Sequence, residues 1–130
     1  MSETPYQKSF AIIVEDEADL SDIFSEAMQA AGFQTEALSS GEQALKRLKE
    51  VIPTIIVLDL HLPGMDGSQL LREIRKDPRL ADTRVIVATA DHNMTLNLPS
   101  KPDLVLLKPI SFGQLRDLAA RLMQVHPSRK

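Results

Sequence analysis

The chain has 130 residues, 43% of them hydrophobic and 25% charged, with a formal net charge of −3; that suits a single domain with one core, and gives no reason to expect nucleic acid or an anionic membrane as a direct partner. With no cysteine, disulfides, zinc–thiolate sites and thiol chemistry are all excluded. The start Met1-Ser2-Glu3-Thr4-Pro5-Tyr6 lacks an apolar signal core and no stretch approaches the ~18 apolar residues of a membrane span, so a cytoplasmic protein is expected.

Strand-like apolar runs alternate with segments of helical period. The first run, Phe10-Ala11-Ile12-Ile13-Val14, ends in Glu15-Asp16. Leu20, Ile23, Phe24, Ala27 and Ala31 then fall at helical spacing, and Gly32 is a natural stop. A short strand is expected over residues 34–38. Ser39 with Glu42 offers a capping box for a helix carrying Ala44, Leu45, Leu48 and Ile52, which Pro53 ends. The run Ile55-Ile56-Val57-Leu58 is apolar enough for a strand buried on both faces, and it leads straight into Asp59. A helix with Leu70, Leu71 and Ile74 follows and stops before Pro78. Val85-Ile86-Val87-Ala88 and Leu104-Val105-Leu106-Leu107 read as the fourth and fifth strands. Ser111 caps a last helix bearing Leu115, Leu118, Ala119, Leu122 and Met123, a stripe read as core rather than as a dimer face. The tail from Pro127 reads as frayed.

The alternation predicts an α/β fold, a doubly wound five-stranded parallel sheet in the order 2-1-3-4-5 with helices on both faces. One segment breaks the rhythm. Residues 91–102 hold two prolines, two asparagines and no apolar stripe, so the fourth helix should be short or absent. The whole chain, 1–130, reads as one domain with a core of about 8–125 and flexible ends.

Four strand ends supply polar groups: Glu15 and Asp16, Asp59, Thr89, and Lys108. In an open α/β sheet, the carboxyl ends of the strands are where ligands bind. Three crowded carboxylates repel one another unless a cation sits among them, and an all-oxygen set favours a hard divalent ion such as Mg²⁺ or Mn²⁺. A lysine can neutralise phosphoryl oxygens and a threonine hydroxyl can bond one. A carboxylate in that company is equipped to attack phosphorus.

Val14-Glu15-Asp16-Glu17, Leu58-Asp59-Leu60-His61-Leu62-Pro63-Gly64-Met65-Asp66-Gly67, Ala88-Thr89-Ala90 and Leu107-Lys108-Pro109, in that order, resemble the receiver domains of bacterial two-component response regulators over nearly the whole chain. The resemblance implies that Asp59 accepts a phosphoryl group from the phosphohistidine of a sensor histidine kinase or a phosphotransfer protein. It implies Mg²⁺ on Asp16 and Asp59, with Glu15 helping and the backbone carbonyl of His61 supplying another ligand. Lys108 would pair with the phosphoryl group, Thr89 would swing to bond it, and the Lys108–Pro109 peptide would be cis. The output would be binding to a downstream protein target, with no enzymatic activity beyond the domain's own phosphorylation and slow dephosphorylation. No effector domain follows Lys130, so a stand-alone signalling domain is expected.

Two departures stand out. Val105 occupies the position where the family carries a Phe or Tyr that reports phosphorylation. The Thr89-to-Lys108 interval is also short. Val105 and the segment over residues 91–102 that fails to read as a fourth helix motivate an alternative, a degenerate receiver that binds a partner independently of phosphorylation. A phosphatase of the haloacid-dehalogenase type is disfavoured, because it needs a second Asp where this chain has His61. Flavin or dinucleotide binding is disfavoured too, since Glu15-Asp16-Glu17 stands where phosphate binding requires a glycine-rich loop. The His61 side chain reads as solvent-facing and able to screen an acyl phosphate from water. Glu15 and Asp16 also suit an N-cap for the first helix. His92 and His126 join no cluster.

Overall fold

The computed structural model describes residues 9–96 and 98–123. The expected tail from Pro127, the outermost parts of the 8–125 core and His126 lie outside the described residues. Five parallel strands, β1 (Ser9–Val14), β2 (Phe33–Leu38), β3 (Ile55–Leu58), β4 (Arg84–Thr89) and β5 (Leu104–Leu107), form one sheet in the order β2-β1-β3-β4-β5. Four helices accompany them in the described residues: α1 (Ala18–Ala30), α2 (Gly41–Leu48), α3 (Gly67–Lys76) and α4 (Phe112–Leu122). Among the described residues, no helix is long and apolar enough to cross a membrane.

Because strand side chains alternate between faces, each apolar run serves two cores. Ala11, Ile13, Ile55, Val57, Ile86 and Ala88 pack with Phe24, Ala27 and Met28 of α1 and with Leu115 and Ala119 of α4. Ile12, Val14, Ile56, Leu58, Val85 and Val87 pack on the other face with Ala44 and Leu48 of α2 and Leu70, Leu71 and Ile74 of α3. The central strands are buried on both sides, which is why they read as unbroken apolar runs.

The second helix differs from expectation at both ends. Its N-cap is Ser40, whose hydroxyl accepts from the Gln43 N–H at 3.1 Å, not Ser39. Ser39 instead donates its own N–H to the Gln43 side chain at 3.0 Å. Glu42 takes no part in the cap; its carboxylate accepts from the Met65 N–H at 2.9 Å. The helix closes at Leu48, before Pro53 can end it, and Ile52 is left 58% exposed. In α1, Ile23 is 39% exposed rather than core, and Ala31 is the C-cap. A full capping box does occur, at Asp66 and Gln69 of α3. Between β4 and β5 the described residues make a single 3₁₀ turn, His92–Thr95, in keeping with the unpatterned sequence there.

Candidate functional site

The backbone sets the site by running the sheet ladder one residue past each strand. Glu15 N–H donates to Leu38 O at 3.0 Å, Asp59 N–H to Val14 O at 3.0 Å, and Lys108 N–H to Thr89 O at 2.8 Å. The first residue after β1, β3 and β5 is therefore held at the same edge as firmly as the strands themselves. The Lys108–Pro109 peptide is cis, as the resemblance implied.

One carboxylate oxygen from each of Glu15, Asp16 and Asp59 lies within 4.8 Å of the others. These three, with Glu17, His61, Ala90 and Lys108, line an open cavity of about 470 Å³. Lys108 Nζ donates to Glu15 Oε1 at 2.9 Å and lies 3.4 Å from Asp59 Oδ2. Glu15 and Asp59 are buried, whereas Asp16 is exposed. The donor set fits a hard divalent ion, being all oxygen, carrying excess negative charge and keeping one side open to water.

Burial is the main force on Glu15 and pushes its carboxyl above the ordinary 4.5; the Lys108 hydrogen bond opposes this, and the nearby Asp59 charge adds to it. For Lys108, burial pulls downward, but the bond to Glu15 and the charges of Asp59 and Glu15 together leave it above 10.5. The two partners thus both move up. The Lys108 side chain keeps 15% of its exposure and the Glu15 side chain only 2%, so desolvation outweighs the pairing for the acid and not for the base.

His61 N–H donates to Asp59 Oδ1 at 3.0 Å, which orients that carboxylate by a bond to its own loop. The His61 imidazole is exposed, as expected, with Nε2 3.5 Å from Asp91 Oδ2. Thr89 is fully buried and does not line the cavity; its hydroxyl oxygen accepts from Asp91 N–H at 3.2 Å. Neither Glu15 nor Asp16 caps α1, whose N-cap is Glu17 with no side-chain cap bond. Glu15 instead accepts from Glu17 N–H at 3.2 Å. The sequence reading missed the Lys108–Glu15 pair and the lining role of Glu17. It also missed Glu42, whose bond to Met65 ties α2 to the loop after Asp59; neither contact has a sequence signal, since both join distant residues.

The response regulator receiver domain model matches residues 11–120. BaeR, a transcriptional regulatory protein of Escherichia coli, is 33% identical over 130 residues, 96% of this chain and 52% of its own length. The DNA-binding response regulator MtrA of Mycobacterium tuberculosis is 31% identical over 111 residues, 85% of this chain and 47% of its own. The chain thus spans about half the length of the curated relatives it matches. Among solved structures, the response regulator TrrA from Thermotoga maritima, in complex with Mg²⁺-BeF, superposes with a TM-score of 0.78 at 27% identity, covering 88% of this chain and 98% of that one. The strand order, the acid and lysine residues at the strand ends and these matches agree: the chain belongs to the response regulator receiver domain family.

Proposed function

We propose that the chain is the phosphoryl-accepting receiver of a two-component phosphorelay, with Asp59 as the acceptor. The observation that carries this reading is the placement of Lys108 Nζ 3.4 Å from Asp59 Oδ2 while His61 N–H holds Oδ1 at 3.0 Å. One oxygen is tethered and the other stands beside a cation at the mouth of an open cavity. In the transfer, an Asp59 oxygen attacks the phosphorus of a phosphohistidine on a sensor kinase or phosphotransfer protein. An O–P bond forms, the P–N bond breaks, and the electron pair stays on the imidazole, which takes a proton.

Lys108 stabilises the charge on the phosphoryl oxygens, and as that charge arrives it exchanges part of its bond to Glu15 for one to phosphate. The Thr89 hydroxyl uses its oxygen to accept from Asp91, which leaves its proton to donate to the phosphoryl group once the side chain turns. Glu15, Asp16 and Asp59, with the His61 carbonyl, would hold Mg²⁺ or Mn²⁺, which supplies positive charge against the crowded carboxylates and phosphoryl oxygens. The exposed His61 ring shields the product from water. The domain is a phosphoacceptor, not an enzyme acting on a separate substrate, and its output is protein binding. DNA binding belongs to MtrA, a longer protein. The acid and lysine set is whole, so a phosphorylation-independent module is not favoured.

Incubation with acetyl phosphate and Mg²⁺, read by intact mass, should add one phosphate to the wild type. Chelation of Mg²⁺ or Asp59→Asn should prevent it. An unmodified wild type beside a reacting control receiver overturns the proposal.

A further inference from the structure

At the opposite edge of the sheet a buried charge stands without a partner among the described residues. Arg84 opens β4, some five residues and roughly 17 Å from the Thr89 end at about 3.3 Å per residue. It is 5% exposed, yet among the described residues its Nε and Nη2 have no hydrogen-bond partner. No carboxylate among the described residues pairs with it. Its neighbours differ in this respect. Arg75 donates to Thr83 O and to Asp103, and Arg79 to Leu48 O and to Asp77. An arginine cannot shed its proton, so a buried one without a counter-charge is strongly unfavourable.

Arg84 borders a cavity of about 320 Å³ whose wall includes Ile52, Pro53, Arg79, Asp82 and Met123. Ile52 is 58% exposed at the mouth. The wall therefore joins one unpartnered cation, a second cation and an apolar lip. We propose that this cavity binds a small monocarboxylate, its two oxygens on the Nε–Nη2 edge of Arg84 and a short apolar tail against Ile52, Pro53 and Met123. That guanidinium edge matches a carboxylate in geometry and takes it through two parallel bonds. Asp82 on the same wall disfavours ligands of higher negative charge, such as phosphate. Because Nε and Nη2 are covered, binding turns the guanidinium toward the cavity, a side-chain motion. The site is separate from the Asp59 cavity, and its fate does not depend on phosphorylation.

The test is a titration of the full chain with sodium butyrate against sodium chloride at matched ionic strength, following the Arg84 Nε–Hε resonance. Butyrate should shift it saturably and raise Tm, while chloride does neither, and phosphate should bind at least tenfold more weakly. Arg84→Met should abolish the butyrate-dependent rise in Tm. Ile52→Asp, at an exposed position, should weaken butyrate at least tenfold by placing a competing carboxylate at the mouth. An Arg84 resonance that butyrate moves no more than chloride overturns the proposal. So does a butyrate-dependent rise in Tm unchanged in Arg84→Met or, should that variant fail to fold, a butyrate affinity unchanged in Ile52→Asp.

Discussion

β3 and β4 lie side by side, are buried throughout and each end near a polar residue, but the segments that follow them are built differently. After β3, the loop is closed by Gly67 N–H to Leu60 O at 2.9 Å, clasped by Glu42 through Met65, and capped at Asp66 into a helix with four buried residues, Gly67, Leu70, Leu71 and Ile74. After β4 there is one 3₁₀ turn and, among its described residues, nothing buried from Ala90 to Ser100. The return to β5 is instead tethered from α3, where Arg75 donates to Lys101 O at 2.9 Å and to Asp103 at 2.8 Å. Both strands still deliver their polar residues to one edge, because Lys108 is fixed by the Thr89 carbonyl and not by the crossover. The acid site and the surface beside it are therefore set by separate parts of the chain. The lack of a helix between β4 and β5 among the described residues alters the surface beside the site, not how Asp59 is held.

That contrast can be tested by striking each segment in turn. Leu70→Ala empties a fully buried position under α3 and should cost roughly 2–5 kcal/mol in urea unfolding. Gly67→Ala should cost about 3 kcal/mol, since its Cβ would meet the Asp59 carbonyl oxygen and would stand 2.5 Å from Leu60 Cα, backbone that cannot yield cheaply. The same variant should also slow phosphorylation, because the atoms it displaces carry Asp59.

Asp66→Ala removes the capping box and should cost about 1 kcal/mol. The Gln69 N–H bond, then the Ser68 hydroxyl bond, hold the Asp66 carboxyl below its ordinary 3.8. Its stabilisation is therefore present above pH 3.8 and lost as pH falls through the lower folded value. Acid titration of stability should show this loss in the wild type and not in the variant. Last, Leu96→Ser, at a residue 62% exposed on the other segment, should change stability by less than about 0.5 kcal/mol. A loss near that of Leu70→Ala would show that the crossover is as structured as α3.

The parts legible in the sequence were those set by local pattern. Two-sided burial made β3 and β4 readable as apolar runs, and the absence of any stripe over residues 91–102 gave the missing helix. Asp59, Glu15, Asp16 and Lys108 could be placed because a parallel sheet puts all strand ends on one edge; Thr89 shares that edge but does not line the cavity. What escaped depended on pairs far apart in the chain. Ser40 rather than Ser39 caps α2 while Glu42 is held by Met65, and the Lys108–Glu15 bond spans 93 residues. Arg84 was invisible because nothing in Thr83-Arg84-Val85 separates a buried arginine from an exposed one at a strand start.

Reductive trapping identifies the residue that takes the phosphoryl group, which is proposed to be Asp59. Borohydride converts an aspartyl phosphate to homoserine, so phosphorylated protein, reduced and digested, reveals the acceptor by peptide mass. Homoserine at position 59, absent without phosphodonor and in Lys108→Ala much reduced, is the predicted result. Homoserine at Asp16 or elsewhere, or phosphate that borohydride does not displace, would contradict it.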